Sequence, residues 1–165
     1  MSVSVPVSVS VAETVAGNGT ESESWSVEVM YPRSMTSARY PLGVLWLSAG
    51  VFLITGAIFT VMPQVMFARL GLFVPDGAPV TELRAVYGGL EIGIGLFLLL
   101  CARRRGVALE LGLVLSFLLF SGLAAYRGIG MGIDEPQVDL MSVLLVLESA
   151  GAVIALSGLL VLSRG

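Results

Sequence analysis

Four long apolar runs divide the chain, and the polar positions inside them are few enough to name. Leu42 to Met62 is interrupted only by Ser48, Thr55, Thr60 and small residues. At 1.5 Å per residue a helix of that length reaches about 31 Å, enough to cross a hydrocarbon core. A second run covers Glu82 to Ala102 and stops at Arg103-Arg104-Arg105, with Gly106 as the turn. A third runs from Val107 to Tyr126 and is closed by Arg127; a fourth runs from Val138 to Leu162. The pattern predicts an all-α fold, an integral membrane four-helix bundle with spans near 42–62, 82–102, 107–126 and 138–162. Pro63 closes the first span, and Gln64 to Gly71 reads as a short interfacial helix with Val65, Met66, Phe67 and Leu70 inward. Pro75-Asp76-Gly77 is a turn signal, Pro79 keeps the chain extended, and Thr81 is the expected N-cap of the second span. Gly128, Gly130 and Gly132 predict a loop ahead of Asp134-Glu135-Pro136. It is not a phosphate-binding loop, since no strand precedes it and no Lys follows the glycines.

Residues 1–40 carry a different pattern. Ser and Val alternate through Ser2 to Val11, then Gly17-Asn18-Gly19 leads into the acidic, Ser-rich run Glu21 to Ser26. Nothing in the segment can pair with or cover a strand of that kind. It also lacks the basic and apolar regions of a secretory signal. The expectation is a disordered cytoplasmic tail, with Met30 and Met35 as alternative starts, followed by the four-span domain from residue 41 to residue 165.

Composition agrees with the pattern and removes several chemistries. Of 165 residues 56% are hydrophobic and 13% charged, with a mean hydropathy of +0.93; a soluble domain is nearer a quarter charged. His is absent, which removes the commonest metal and haem ligand and the commonest neutral-pH base. The one cysteine, Cys101, has no intrachain partner. No metal and no cofactor are expected. Nucleic-acid binding is unsupported, because the one basic cluster, Arg103 to Arg105, is explained by topology. Four spans place Arg33, Arg39, Arg103, Arg104, Arg105 and Arg164 on one side, against Arg69, Arg84 and Arg127 on the other. Six arginines against three put both termini in the cytoplasm and the acidic loops outside.

Candidate chemistry centres on Thr81 to Gly95. At about 100° per residue, Arg84, Tyr87, Gly88, Glu91 and Gly95 share one stripe of an otherwise apolar helix. Glu91 lies nine residues after Glu82, hence about 13 Å below the surface. Glu148 lies ten residues after Val138, on a helix entering from that same surface. A carboxylate near the midplane costs roughly 2.5–3.5 kcal/mol if it faces lipid, so both should face the bundle interior. Gly89-xxx-Gly93, and the face carrying Met141, Leu144, Gly151, Ala152 and Ala155 around Glu148, predict that spans two and four pack together. Two carboxylates so placed cannot comfortably both ionise; one holds a proton or an arginine compensates. Glu91 and Glu148 are the candidate acid/base pair. Arg84 and Tyr87 are candidates for orienting a ligand, with Tyr126, Arg127 and Asp139 around the mouth of an outward-facing polar pocket. The structural alternative is that Arg84 with Glu91, and Arg127 with Asp139 or Glu82, are pairs that fix helix register.

The octapeptide Glu82-Leu83-Arg84-Ala85-Val86-Tyr87-Gly88-Gly89, at the start of the second of four spans, resembles the signature of a bacterial family of small four-span proteins. That family is one of the domains of unknown function, grouped with DoxX-like membrane proteins; the resemblance covers roughly residues 42–162. It implies a four-helix bundle in the cytoplasmic membrane and brings no established reaction. Two kinds of role follow. One is binding, or acid/base isomerisation or cyclisation, of a small lipophilic substrate. The other is a non-catalytic accessory subunit or assembly factor, with a membrane-protein partner or a second copy against the glycine faces. A proton-coupled transporter is the weaker third, because four spans are few and no internal repeat is visible.

Overall fold

The computed structural model describes residues 39–134 and 139–164; the expected tail lies outside them, apart from its last two residues. Among the described residues the architecture is all-α. Helix α1 is Arg39–Val61, α2 is the short Pro63–Arg69, α3 is Ala78–Arg104, α4 is Val107–Asp134 and α5 is Asp139–Ser163. The four long helices are each apolar enough to cross a membrane, with mean hydropathies of 1.9 to 2.2 over their best windows. Most of their large apolar side chains face outward, as lipid contact requires. The molecule has two unlike ends. Arg39, Arg103, Arg104, Arg105 and Arg164 gather at one, and Asp76, Glu82 and Asp139 at the other.

Neighbours follow from the short connections. The turn Arg105–Gly106, with φ of 56° and 55°, reverses α3 into α4. Helix α3 packs on α1 and α4, while α5 packs on α4 and α1. Helices α3 and α5 lie across the bundle from one another, with little or no direct contact. The expected pairing of spans two and four is therefore not found. On α5, Gly151 packs on Phe120 of α4 instead; on α3 it is Gly88 and Gly95 that meet α1, while Gly93 has nothing within 4 Å of its Cβ position.

The buried apolar core joins Val44, Leu45, Ala49 and Phe52 of α1 to Leu98, Cys101 and Ala102 of α3 and to Leu109, Leu113 and Phe120 of α4. All of it lies in the half nearer the arginine end. Its outermost layer is the Phe52–Phe120 ring pair, with centroids 5.3 Å apart. Beyond that layer the buried apolar side chains among the described residues are Phe59, Pro63, Phe67 and Val80, all on the α1–α3 side. Towards the acidic end, then, α1 with α3 and α4 with α5 are two hairpins that no buried apolar side chain ties together among the described residues.

Three boundaries differ from expectation for identifiable reasons. Helix α4 continues through Gly128, Gly130 and Gly132 to Asp134; Ile129, Met131 and Ile133 keep this turn apolar, and glycine is tolerated in helices of this kind. Helix α3 begins at Ala78, with Pro79 in its first turn where a missing N–H costs nothing, and Thr81 is internal rather than a cap. In α2, Phe67 and Pro63 are buried but Val65 is exposed.

Helices α1 and α3 meet backbone to backbone. A Cβ on Gly56 would lie 2.9 Å from both the Gly88 carbonyl oxygen and the Ile92 nitrogen, atoms that cannot swing aside. Gly93, by contrast, has nothing within 4 Å of its Cβ position. Gly56→Ala is therefore expected to lose about 1–3 kcal/mol through overpacking, and Gly93→Ala to stay within about 0.5 kcal/mol of wild type. Unfolding titrations in detergent check this; equal losses for both would remove the α1–α3 contact from the account.

Candidate functional site

The middle of α3 is not α-helical. From Arg84 to Gly89 the helix widens into a π segment, and the Leu90 N–H donates to the Ala85 carbonyl five residues back. Such insertions add a residue to a turn and concentrate at functional sites. The extra residue also changes the geometry of the polar stripe. Seven residues separate Arg84 from Glu91, two turns of an α-helix, but the π turn rotates the earlier residue away by most of a quadrant. The guanidinium of Arg84 is exposed, and its Nε donates to the Thr60 carbonyl at 3.1 Å. There it satisfies a backbone acceptor at the C-terminal end of α1, where cations are favoured. It makes no pair with Glu91.

Tyr87 belongs to an aromatic group rather than to a hydrogen-bonded bridge. Its ring centroid lies 5.5 Å from that of Phe59 and 5.0 Å, edge-on, from that of Phe67. It anchors α2 against the α1–α3 hairpin while staying 41% exposed. Glu91, one turn further in, is half-buried. Its Oε2 is buried and has no hydrogen-bond partner among the described residues.

The other acid is fully engaged. Glu148, 8% exposed, is gripped by Arg127: Nη2 donates to Oε1 at 2.6 Å and Nε to Oε2 at 2.8 Å. The remaining terminal nitrogen, Nη1, donates to Met141 Sδ at 3.3 Å. This two-pronged geometry is the strong form of an arginine–carboxylate contact. Arg127 reaches Glu148 because α4 does not end at Tyr126. With the helix continuing, Arg127 stands seven residues beyond buried Phe120 and so on the same inward face. The expected pairing of Arg127 with Asp139 or Glu82 is replaced by this one. Tyr126 is 80% exposed, on the outer face of the helix, and Asp139 is exposed in the first turn of α5. Neither belongs to the interior.

The two acids nonetheless share a level. Gly95 packs on Leu53, next to Phe52, and Gly151 packs on the ring of Phe120; Glu91 and Glu148 are each one turn nearer the acidic end than these contacts. Both therefore sit just beyond the Phe52–Phe120 layer, Glu91 on one hairpin and the Arg127–Glu148 pair on the other. The sequence reading did not identify Thr60, Phe52 or Phe120 as parts of this region. A period of seven linking Leu113, Phe120 and Arg127 was available as a signal, had the glycines not suggested a loop.

The α4–α5 ion pair should behave as one unit. Arg127→Leu or Glu148→Leu alone strands a charge in the bundle and is expected to cost about 3–5 kcal/mol. The double substitution should fall closer to wild type than either single one, as a double-mutant cycle in detergent would read. Purely additive losses would show that the two side chains do not act together.

No curated protein and no solved structure gives a significant match to the chain. A family model does match, over residues 43–159, which includes the π segment, Glu91, the ion pair, all of α3 and α4 and most of α1 and α5. The chain belongs to the family defined by the domain of unknown function DUF4345.

Proposed function

We propose that the protein is a multi-pass membrane protein that binds a small lipophilic molecule between its two hairpins, with Glu91 as the polar anchor. The observation that carries this reading is the buried Glu91 oxygen without a partner. A carboxyl in that setting is costly, and intramembrane ionisable groups are retained chiefly for function. The π segment that ends immediately before it, and the missing apolar bridge beyond Phe52 and Phe120, support the same place. Because Glu148 is committed to Arg127, the reading is ligand binding anchored on one carboxyl, rather than proton transfer between two. Tyr87, the exposed member of the aromatic group it forms with buried Phe59 and Phe67, would line the site.

The distribution of arginine supports an orientation with the arginine end in the cytoplasm and the acidic end outside, in the inner membrane of a bacterium. A second reading, a DoxX-like accessory subunit, rests on Gly43, Gly50 and Gly93, which face open space rather than a neighbouring helix.

Removing an unsatisfied carboxyl relieves a cost, so Glu91→Leu is expected to raise stability by about 1–3 kcal/mol while abolishing function. The check is mass spectrometry of the protein purified from its native membrane, beside a detergent unfolding titration. A bound lipophile present in wild type and absent from Glu91→Leu supports the proposal. A stable variant that retains the lipophile overturns it. A stoichiometric protein partner released by Gly93→Leu would favour the accessory-subunit reading. Orientation is read separately, in a Cys101→Ala background. Asp76→Cys should react with an impermeant maleimide added to intact cells, and Arg104→Cys only after permeabilisation; the reverse order would invert the topology.

A further inference from the structure

The charge inventory around Glu91 narrows what kind of molecule can occupy the site, given that the site is the one proposed above. Away from the end turns of the four long helices, five charged side chains are found among the described residues: Glu82 and Arg84 near the acidic end, and Glu91, Arg127 and Glu148 deeper. Two of them neutralise each other. Arg127 directs Nε and Nη2 to Glu148 and Nη1 to Met141, so its charge is already compensated by a carboxylate. Arg84 is bound to the Thr60 carbonyl and exposed at the acidic end. Glu110 is exposed within the first turn of α4, at the far end of the bundle. Glu91 is thus an acid with no compensating cation supplied by the described residues.

An anionic molecule finds no counter-charge here. A bare metal ion is equally poorly served, because hard cations require several oxygen ligands and no group of three His, Cys, Asp or Glu side chains is assembled among the described residues. The neighbours of Glu91 along its own helix, Leu90, Ile92 and Ile94, are instead apolar. Tyr87, one turn away, presents a 41%-exposed ring, and aromatic faces attract organic cations as well as apolar groups. We infer that the site selects a lipophilic organic cation, an amine or quaternary ammonium on an apolar body, with Glu91 as its counter-ion and Tyr87 against its charged head.

The test uses the full-length protein in detergent with radiolabelled tetraphenylphosphonium as the probe, followed by equilibrium dialysis. Saturable binding is expected, displaced by decylamine but not by decanol or decanoate. Glu91→Gln should weaken binding by at least about tenfold, the loss of one charge-assisted contact, while Glu82→Gln, at the exposed start of α3, should leave it unchanged. The competition arm needs no variant, so it stands even if Glu91→Gln fails to fold. Displacement by decanol as effectively as by decylamine would overturn the preference for cations and leave the proposed binding site intact. Displacement by decanoate alone would overturn it as well. No saturable binding of the probe, with none of the three competitors protecting the protein against thermal unfolding, would overturn both the preference and the site. Binding that survives Glu91→Gln would move the cation elsewhere.

Discussion

A hydrocarbon surrounding offers a charged side chain no solvent, so each charge placed inside must find its compensation within the protein. In this chain that constraint is met by one contact, the bidentate grip of Arg127 on Glu148. It ties α4 to α5 two turns beyond Phe120. It also withdraws one acid and the only deep cation among the described residues from any other chemistry. What the pair leaves over is Glu91.

The α1–α3 hairpin is built differently, without an ion pair between its helices among the described residues. Gly56 and Gly88 let the two backbones touch, and the Gly88 Cβ position is filled by Thr60. The carbonyl of Thr60 is in turn the acceptor for Arg84. Close approach at this point coincides with the π segment of α3. The two hairpins are joined by a dense core towards the arginine end, and that core stops at Phe52 and Phe120.

Much of the site was legible as a set of residues and little of it as a set of partners. Glu91 and Glu148 stand out in any apolar helix, and their common depth follows from counting residues at 1.5 Å each. Their separation into different roles does not follow from counting. Arg84 was read as Glu91's partner because an α-helix brings residues seven apart together; the π turn breaks that periodicity. Arg127 was placed at a helix end because glycines usually end helices, whereas its real neighbours are set by the packing of α5 on α4. Tyr126 and Asp139 were grouped with it by sequence proximity, although adjacent residues on a helix point in different directions.

The amino-acid sequence by itself determined the class of the protein: all-helical, with four spans, an arginine-rich end and an acidic end. Run length, hydropathy and arginine placement depend on local composition, and the bilayer imposes its thickness on every helix alike. Only the tertiary structure decided which helices are neighbours, because apolar faces are interchangeable in sequence and are told apart by the fit of Gly56 to Gly88 and of Gly151 to Phe120. That choice of neighbours made Glu148 half of an ion pair and left Glu91 without one.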